Sequence, residues 1–273
     1  MYDTMKHLIE PEQLVTELND DNLVIVDLCN VALYQQKHVP GAIHLQANHL
    51  ILGTPPVPGL CPDEKQLAQI INYLGLTHDK RVILYDDEGG GWAGRMAWSL
   101  DLMGFNNWCY LNGGIVPWIK EGFPTESSAN QPASMDTKPH SITNPQVKIS
   151  ADEINDSLGS ADFAIWDARS PAEFSGSMVR AARGGHIPGA INLEWTALMD
   201  QQKNLRIRDN AQQLLDDVGL NTELQIATHC QSHHRSSFTY MTARILGYTN
   251  IRGYDGSWAE WGNSQDLPVE LGN

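Results

Sequence analysis

Short apolar runs alternate with helical hydrophobic patterns along the second half of the chain. The pattern predicts, in order, a strand at residues 163–168, a helix at about 209–219, a strand at 224–229, a helix at about 236–246 and a short strand near 250–253. Gly219 and Gly247 follow the two predicted helices and end them, because glycine readily adopts the left-handed conformation of a helix C-terminus. Strands that alternate with helices favour an α/β fold with a parallel sheet and helices on both faces.

The chain contains two copies of this module. The segment HVPGAIH at residues 38–44 returns as HIPGAIN at 186–192, and the run LVIVD at 23–27 returns as FAIWD at 163–167. Each copy spans about 120 residues, which indicates a tandem duplication of a domain and not a solenoid of short repeats. We therefore predict two tandem domains of the same fold.

The domain limits follow from composition. Residues 126–144 are rich in Ser, Pro, Asn and Thr and lack an apolar period, which is typical of a linker. We predict a first domain at 1–125, a linker at 126–144 and a second domain at 145–273. The total length of 273 residues agrees with two domains, since a domain has about 150 residues on average.

Charge and cysteine usage narrow the function classes. The net charge of −15 argues against nucleic acid or an anionic membrane as a partner, because both bind basic surfaces. No apolar run approaches the length of about eighteen residues that a membrane span needs, and the N-terminal sequence has no signal-peptide pattern. The four cysteines show no C-x-x-C pairing, so we expect reduced thiols in a cytoplasmic protein. We also expect a monomer.

The candidate nucleophile is Cys230, which joins the strand predicted at 224–229 to the next helix. A tight loop at that junction directs backbone N–H groups inward, and the helix N-terminus adds the positive end of its dipole. Such a setting lowers the pKa of a thiol from about 8.5 to between roughly 3.5 and 7.5. The following loop residues, which we expect to bind a small anionic substrate, are Gln231, Ser232, His233, His234 and Arg235. Local basic groups would counteract the acidic surface.

The loop sequence also fits other interpretations. A cysteine before a helix is often a small buried apolar residue, and Cys with His can bind zinc. However, zinc ligands normally come from two separate segments, whereas these residues are consecutive. The loop also resembles the Cys-x5-Arg-Ser/Thr loop of cysteine phosphatases, but it is one residue shorter. A shorter loop fits one extra sulfur atom on the thiolate better than a tetrahedral phosphate.

The second half resembles the rhodanese (thiosulfate sulfurtransferase) family. The resemblance is carried by Asp167-Ala168-Arg169 after a strand, by the GHIPGA turn at 185–190, by the six-residue loop opened by Cys230 and by the segment GYDGSWAEW at 253–261. It implies tandem rhodanese domains with one active site, in the second copy, and a persulfide on Cys230 as the sulfur carrier. It also implies that no metal or organic cofactor is needed.

Two features depart from the common family pattern. The loop is rich in histidine, which resembles a smaller bacterial subgroup, and Glu173 stands where vertebrate-type enzymes have an arginine that helps to hold thiosulfate. Trp195 is expected near the pocket on the same resemblance. In the first copy Asp87 is aligned with Cys230, so that copy is expected to be catalytically silent.

The remaining candidate residues are interpreted as structural. Asp167 and Arg169 follow a strand, where such a pair more often supports the scaffold than the chemistry. The three other cysteines lack a cationic setting; they are Cys29, Cys61 and Cys109. The segment GGG at residues 89–91 does not have the sequence pattern of a phosphate-binding loop.

The sequence therefore predicts a sulfurtransferase. It would move sulfane sulfur from thiosulfate or a similar small anionic donor to a thiophilic acceptor, such as cyanide, a thiol or an acceptor protein, through a Cys230 persulfide. Two alternatives stay open at this point. One is a phosphatase or arsenate reductase that uses Cys230, and the other is a non-catalytic rhodanese-like binding module.

Overall fold

The structure is a computed structural model that describes residues 6–131 and 140–272. Contacts divide the chain into two compact units. The first comprises the described parts of Met1–Leu50, Pro62–Asn144 and Met199–Ile207, and the second comprises Ile51–Cys61, Pro145–Leu198 and the described part of Arg208–Asn273. The predicted domain limits and the linker at 126–144 stay predictions, and linker residues 132–139 lie outside the described residues.

The strands are short and mostly buried. In chain order they are β1 Leu8–Ile9, β2 Leu23–Asp27, β3 Ile43–His44, β4 Arg81–Tyr85, β5 Trp108–Leu111, β6 Phe163–Asp167, β7 Ile191–Asn192, β8 Met199–Asp200, β9 Arg206–Ile207, β10 Gln225–His229 and β11 Ile251–Gly253. The apolar runs at 163–168 and 224–229 thus form β6 and β10, as the sequence predicted.

The helices alternate with the strands. They are α1 Pro11–Glu17, α2 Val31–Tyr34, α3 Glu64–Tyr73, α4 Gly91–Leu102, α5 Ile115–Lys120, α6 Ala151–Asp156, α7 Pro171–Phe174, α8 Ala211–Asp217, α9 Arg235–Ile245 and α10 Ser257–Trp261. Short 3-10 helices lie at Ala47–Leu50, Pro145–Val147, Trp195–Leu198 and Gln201–Lys203. Within the ranges that the structure describes, no helix is both long and apolar enough to cross a bilayer.

Each unit is built around a parallel sheet. The strand order is β1-β5-β4-β2-β3 in the first unit and β11-β10-β6-β7 in the second. The central strands are buried on both faces, with Ile83 at 0% exposure in the first sheet and Ala227 at 0% in the second. This burial needs helices on both faces, so the predicted α/β fold is confirmed.

Strand register determines where Cys230 lies in the second unit. Asp167 on β6 pairs with His229 on β10, and the N–H of Ala168 donates to the His229 carbonyl at 2.9 Å. Both strands therefore end at the same level, and Cys230 follows directly at the carboxyl edge of the sheet. That edge is where α/β folds place their sites, because the loops there lead into helix N-termini.

The segment Ile51–Cys61 belongs to the second unit although it comes from the first half of the sequence. A Cβ atom built on Gly59 would lie only 2.2 Å from the carbonyl oxygen of Ser232, and the Cys61 N–H donates to Asp255 at 2.8 Å. The backbone at Gly59 therefore lies directly against the loop that follows Cys230. Only a residue without a side chain fits there.

Gly59→Ala is expected to destabilise the protein by about 1–3 kcal/mol, because the added methyl group would overlap with the main chain of Ser232. Urea unfolding followed by tryptophan fluorescence measures the change in free energy of unfolding. Leu52→Ala, at a side chain that is 46% exposed in the same segment, is the control and should change it by less than about 0.5 kcal/mol. Equal stabilities for the two variants would contradict this account of Gly59.

Candidate active site

Cys230 lies between the end of β10 and the start of α9, with its residue only 1% exposed. Its sulfur accepts hydrogen bonds from the backbone N–H groups of Ser232 and Ser236 and from the Ser236 hydroxyl. The Arg235 guanidinium also donates to it. The thiol therefore points toward the amides of its own loop, as expected for an anion-binding loop at a helix N-terminus.

The electrostatics favour the thiolate at this cysteine. Burial raises the pKa of Cys230, but the Arg235 charge and the hydrogen bonds from Ser236 and Ser232 outweigh burial and hold the pKa below its usual value. Burial instead raises the pKa of Cys29 and of Cys109. A low thiol pKa is what a nucleophilic cysteine needs.

The loop conformation is maintained by the segment before and within α10. The N–H of Trp258 donates to the Cys230 carbonyl at 2.9 Å, and the N–H of Ala259 donates to the Gln231 carbonyl at 2.9 Å. The Ser257 hydroxyl oxygen accepts from the N–H groups of Cys230 and His233 at 3.3 and 3.0 Å. With these carbonyls bound on the outer side, other amides of the loop face the sulfur. This role of Ser257 was not predicted from the sequence.

Arg235 is held by a buried carboxylate. Its guanidinium binds both oxygens of Glu173 at 2.6 and 2.9 Å, and the Arg180 Nε lies 3.3 Å from the same carboxylate. Burial raises the pKa of Glu173, but Arg235 and the cap residue Ser170 lower it to about 2. Glu173 is therefore a permanent anion that fixes Arg235 beside Cys230 and offsets part of its charge.

The sequence places Glu173 in a short S-P-A-E segment, which also explains the local structure. Ser170 caps α7, Pro171 occupies its first turn, and the Glu173 carboxylate returns to the Ser170 N–H and hydroxyl at 3.3 and 3.0 Å. This reciprocal capping box is readable from the sequence. The long-range contact with Arg235 is not readable from the sequence and was not predicted.

The structure brings the predicted loop residues together but gives them different environments. His234 lies at the helix start with its ring 5.9 Å from the ring of Trp195 in an edge-on contact, and Gln231 donates to the Arg180 carbonyl at 3.2 Å. His233 is fully buried, and its Nδ1 lies 2.7 Å from the Ser236 hydroxyl oxygen. Contact of the His233 ring with substrate stays a prediction.

His233 also has a backbone conformation that is rare for a residue with a side chain. Its φ is +53°, in the left-handed region. Such a conformation persists only where the surroundings impose it, and here the N–H bond to Ser257 and the ring contact with Ser236 do so. His233 thereby orients the Ser236 hydroxyl that donates to Cys230. The serine after Arg235 in the Cys-x4-Arg-Ser pattern was the available signal for Ser236.

Asp167 and Arg169 form a buried ion pair under the site. Arg169 donates to Asp167 from its backbone N–H and from Nε and Nη2, at 2.5–3.0 Å. Its guanidinium also stacks 4.3 Å from the ring centre of Trp258, and His229 Nε2 lies 3.5 Å from the Asp167 carboxylate. Burial lowers the pKa of His229, while Asp167 opposes that shift. These contacts agree with the scaffold role expected for the pair.

The structure corrects the alignment of the first copy with the second. Asp27 pairs with Tyr85 in the first sheet, as Asp167 pairs with His229 in the second. The residue after Tyr85 is Asp86, so Asp86 and not Asp87 occupies the position of Cys230. The sequence alignment was displaced by one residue because the register of the strands, not visible in the sequence, sets the equivalence.

Asp86 shows what the loop binds. Its fully buried carboxylate accepts five backbone N–H groups at 2.8–3.1 Å, those of Glu88, Gly89, Gly90, Trp92 and Ala93. Burial, followed by the charge of Glu88, raises the pKa of Asp86 to about 6 against the effect of these donors, so the carboxylate is mostly ionised at neutral pH. The first copy thus contains a built-in anion, held by the amides of the loop that corresponds to the Cys230 loop.

Asp87 itself faces a cavity. Together with Glu88, Asn30 and His44 it lines a space of about 470 Å³ at the carboxyl edge of the first sheet. Two carboxylates at this surface disfavour an anionic ligand. In the part of the chain that the structure describes, no group of three or more His, Cys, Asp and Glu side chains could hold a metal ion.

Comparison with known families adds the decisive observation. The profile of the Rhodanese-like domain matches residues 10–121 and again residues 150–264, so it covers both units of the fold. The chain belongs to the rhodanese family. The tandem rhodanese architecture expected from the internal repeat is thereby confirmed.

Relatives within the rhodanese family align with almost the whole chain. The thiosulfate sulfurtransferase of Azotobacter vinelandii is 46% identical over 265 residues, and that of Pseudomonas aeruginosa is 43% identical over 265 residues; each alignment covers 97% of this chain and 97% of the relative. A sulfur carrier protein of Thermus thermophilus, TtuD, is 27% identical and covers 98% of this chain and 94% of its own length. The sulfurtransferase class predicted from the sequence is confirmed.

Solved structures of more distant proteins share the rhodanese fold. The crystal structure of YnjE superposes with a TM-score of 0.85 at 23% identity, over 98% of this chain and 68% of the other. Wild-type EanB gives a TM-score of 0.85 at 21% identity, over 98% of this chain and 70% of the other. These likenesses concern the fold alone.

Arg235→Ala is expected to raise the pKa of Cys230, because the cation that stabilises the thiolate is removed. The rate of alkylation of Cys230 by iodoacetamide at neutral pH, measured by peptide mass spectrometry, should fall about tenfold, and its pH profile should move to higher pH. Arg235→Lys keeps the charge and should recover most of the rate. An unchanged pH profile in Arg235→Ala would show that the loop amides alone hold the thiolate.

Proposed function

We propose that Cys230 carries sulfur as a persulfide between thiosulfate, or a similar sulfane-sulfur anion, and a thiophilic acceptor. Two relatives that match nearly the whole chain are thiosulfate sulfurtransferases, which supports thiosulfate as the donor. The observation that carries the proposal is the hydrogen-bonded ring of donors around the Cys230 sulfur. Such a ring stabilises negative charge that develops at one atom.

In the first step the Cys230 thiolate attacks the outer sulfur of thiosulfate. A bond forms between Sγ and that sulfur, the bond between the two sulfur atoms of thiosulfate breaks, and sulfite leaves with the electron pair. The product is a negatively charged persulfide on Cys230. No proton moves in this step, and the step as written uses no cofactor.

The first copy indicates that the loop has room for the outer sulfur atom of a persulfide. The Asp86 carboxylate oxygens lie two bonds beyond Cβ, and the outer sulfur of a Cys230 persulfide would likewise lie two bonds beyond Cβ. The two loops correspond closely, because each follows an interior strand of its sheet. In the first loop the Asp86 carbonyl accepts the N–H of Ile115 at the start of α5, and in the second the Cys230 carbonyl accepts the N–H of Trp258 in α10. The amides that hold the carboxylate thus indicate where the persulfide anion would bind.

In the second step an acceptor nucleophile attacks the outer sulfur. With cyanide, thiocyanate forms and the Cys230 thiolate leaves, which regenerates the enzyme. With a thiol, a new persulfide forms on the acceptor. This covalent exchange gives ping-pong kinetics, since the first product departs before the acceptor binds.

The rim of the loop supplies the substrate contacts of this proposal. Arg235 and His234 attract the anionic donor, Trp195 forms one wall, and Gln231 and Ser232 complete the loop. Glu173 offsets part of the Arg235 charge. We therefore infer that this site attracts a dianion such as thiosulfate more weakly than a site with an arginine at position 173 would. Contacts of these residues with substrate, the monomeric state and the cytoplasmic location stay predictions.

The direct test is intact mass after incubation with thiosulfate and removal of excess reagent. The wild-type protein should gain the mass of one sulfur atom and lose it again when cyanide is added. Cys230→Ala should show no gain although it retains Cys61, which is partly exposed. Absence of a gain with thiosulfate and with polysulfide would refute the persulfide mechanism.

Cys230→Asp tests the anion-binding ring without any sulfur chemistry. Because Asp86 occupies the equivalent place in the first unit, an aspartate at 230 should accept the loop amides and mimic the persulfide. We expect this variant to be more stable than Cys230→Ala by about 2 kcal/mol at neutral pH, since hydrogen bonds to a charged group are strong. Thermal unfolding compares the two, with Cys230→Asn as the uncharged control. A less stable Cys230→Asp would count against the proposed ring.

A further inference from the structure

The two copies differ in one connection beside the site. In the first unit Tyr34 stacks on His38 at 4.0 Å, and in the second Phe174 stacks on His186 at 3.7 Å. Three residues join the first pair, whereas eleven residues, 175–185, join the second. We call residues 175–185 the insertion loop. The copy that has the reactive cysteine is the copy that carries these eight additional residues.

The insertion loop is anchored to the active-site elements by hydrogen bonds. The Arg180 carbonyl accepts from the Gln231 side chain at 3.2 Å, and the Arg183 N–H donates to the Gly262 carbonyl at 3.0 Å. The Arg183 guanidinium donates to the carbonyls of Leu267 and Trp261, both at 2.8 Å. One end of the loop is therefore fixed beside Cys230 and over the end of α10.

The same loop presents apolar side chains to solvent. Met178 is 43% exposed and Val179 is 57% exposed, and Leu271 near the C-terminus is 74% exposed. Cβ atoms built on Gly176 and Gly184 would meet Leu271 at 2.8 Å and Val179 at 2.9 Å, and these two glycines also lie against each other. Val179 and Leu271 thus lie on one surface, and Met178 precedes Val179 in the chain. A rigid, exposed apolar surface is a common feature of protein interaction sites.

The charge of this surface differs from that of the whole chain. The insertion loop contains two arginines and no acidic residue, whereas the chain has a net charge of −15. Arg180 shares the Glu173 carboxylate with Arg235, so these three groups keep one net positive charge. Glu270, which precedes Leu271, adds one exposed negative charge. Arg183 is bound to neutral main-chain carbonyls, which leaves its positive charge uncompensated by those partners and the local balance positive. The surface is therefore complementary to an apolar segment with acidic residues around it.

We propose that the insertion loop, together with Leu271, is the docking surface for a protein sulfur acceptor whose reactive cysteine is flanked by apolar and acidic residues. The inference rests on the proposed function, because the surface adjoins the sulfur to be transferred. Cyanide or a small thiol needs only the pocket. A protein must also be held while its cysteine reaches the persulfide, and the silent copy, which has no sulfur to deliver, has no such loop.

Binding can be tested without sulfur transfer. The probe is a labelled, acetylated peptide Glu-Glu-Leu-Ser-Leu-Glu, in which serine replaces the reactive cysteine, followed by fluorescence anisotropy with the full chain. We expect the double variant Met178→Ser/Val179→Ser to bind about tenfold more weakly than wild type, because two apolar contacts are lost. Leu271→Ser is an independent variant with the same expected direction. Val31→Ser, at a side chain that is 44% exposed in the first unit, is the matched control and should bind normally.

Transfer is measured with the cysteine form of the peptide and a protein first loaded with sulfur. The double variant should transfer sulfur to the peptide about tenfold more slowly, whereas its transfer to cyanide should equal that of wild type. Peptides with serine in place of leucine, or lysine in place of glutamate, should be poorer acceptors. Equal binding of all peptides, or wild-type binding by the double variant, would overturn the docking proposal. Failure to load sulfur would instead overturn the proposed function, and the anisotropy result would still decide the docking surface.

Discussion

The structure of the second unit depends on one constraint: two main-chain N–H groups, a hydroxyl and a guanidinium must converge on one sulfur atom. A tight loop does not hold such a conformation by itself, because its carbonyls and remaining amides also need partners. Ser257 and the first amides of α10 supply those partners. The ring of donors at Cys230 is thus a product of the C-terminal segment as much as of the loop. This explains why a motif more than twenty residues downstream accompanies the cysteine loop.

The two copies show the same loop with two different anions. In the first, Asp86 fills the ring with a carboxylate that belongs to the chain, and the bound charge cannot leave. In the second, Cys230 offers a thiolate, and under the proposed function this thiolate forms and breaks a bond to a second sulfur. One side chain at one position would then separate a self-filled structural site from a site that exchanges its anion. The cavity lined by Asp87 and Glu88 is a further reason to expect a silent first copy.

The acidic surface and the anionic chemistry are reconciled by local arrangement. Backbone amides carry no net charge, yet they stabilise the thiolate at short range, where distant carboxylates are screened. Arg235 adds one cation at the sulfur, and Glu173 holds that cation in a fixed orientation. The second unit thus gains a site with precise donors and little excess positive charge. The two arginines of the insertion loop are also held in fixed orientations, Arg183 by backbone carbonyls and Arg180 by Glu173.

The sequence alone determined the duplication, the α/β class, and the main strands and helices of the second unit, and it singled out Cys230 as the predicted nucleophile. These features are local or repeated, so apolar periodicity, helix-ending glycines and the loop composition record them directly. Tertiary structure decided the rest. It showed that Asp86 and not Asp87 is equivalent to Cys230, that Glu173 pairs with Arg235, that His233 is buried, and that Ser257 and Gly59 contact the Cys230 loop. Each of these depends on strand register or on contacts between segments distant in sequence. Periodicity tells which face of an element is buried, but only the packed chain tells which distant group lies against it.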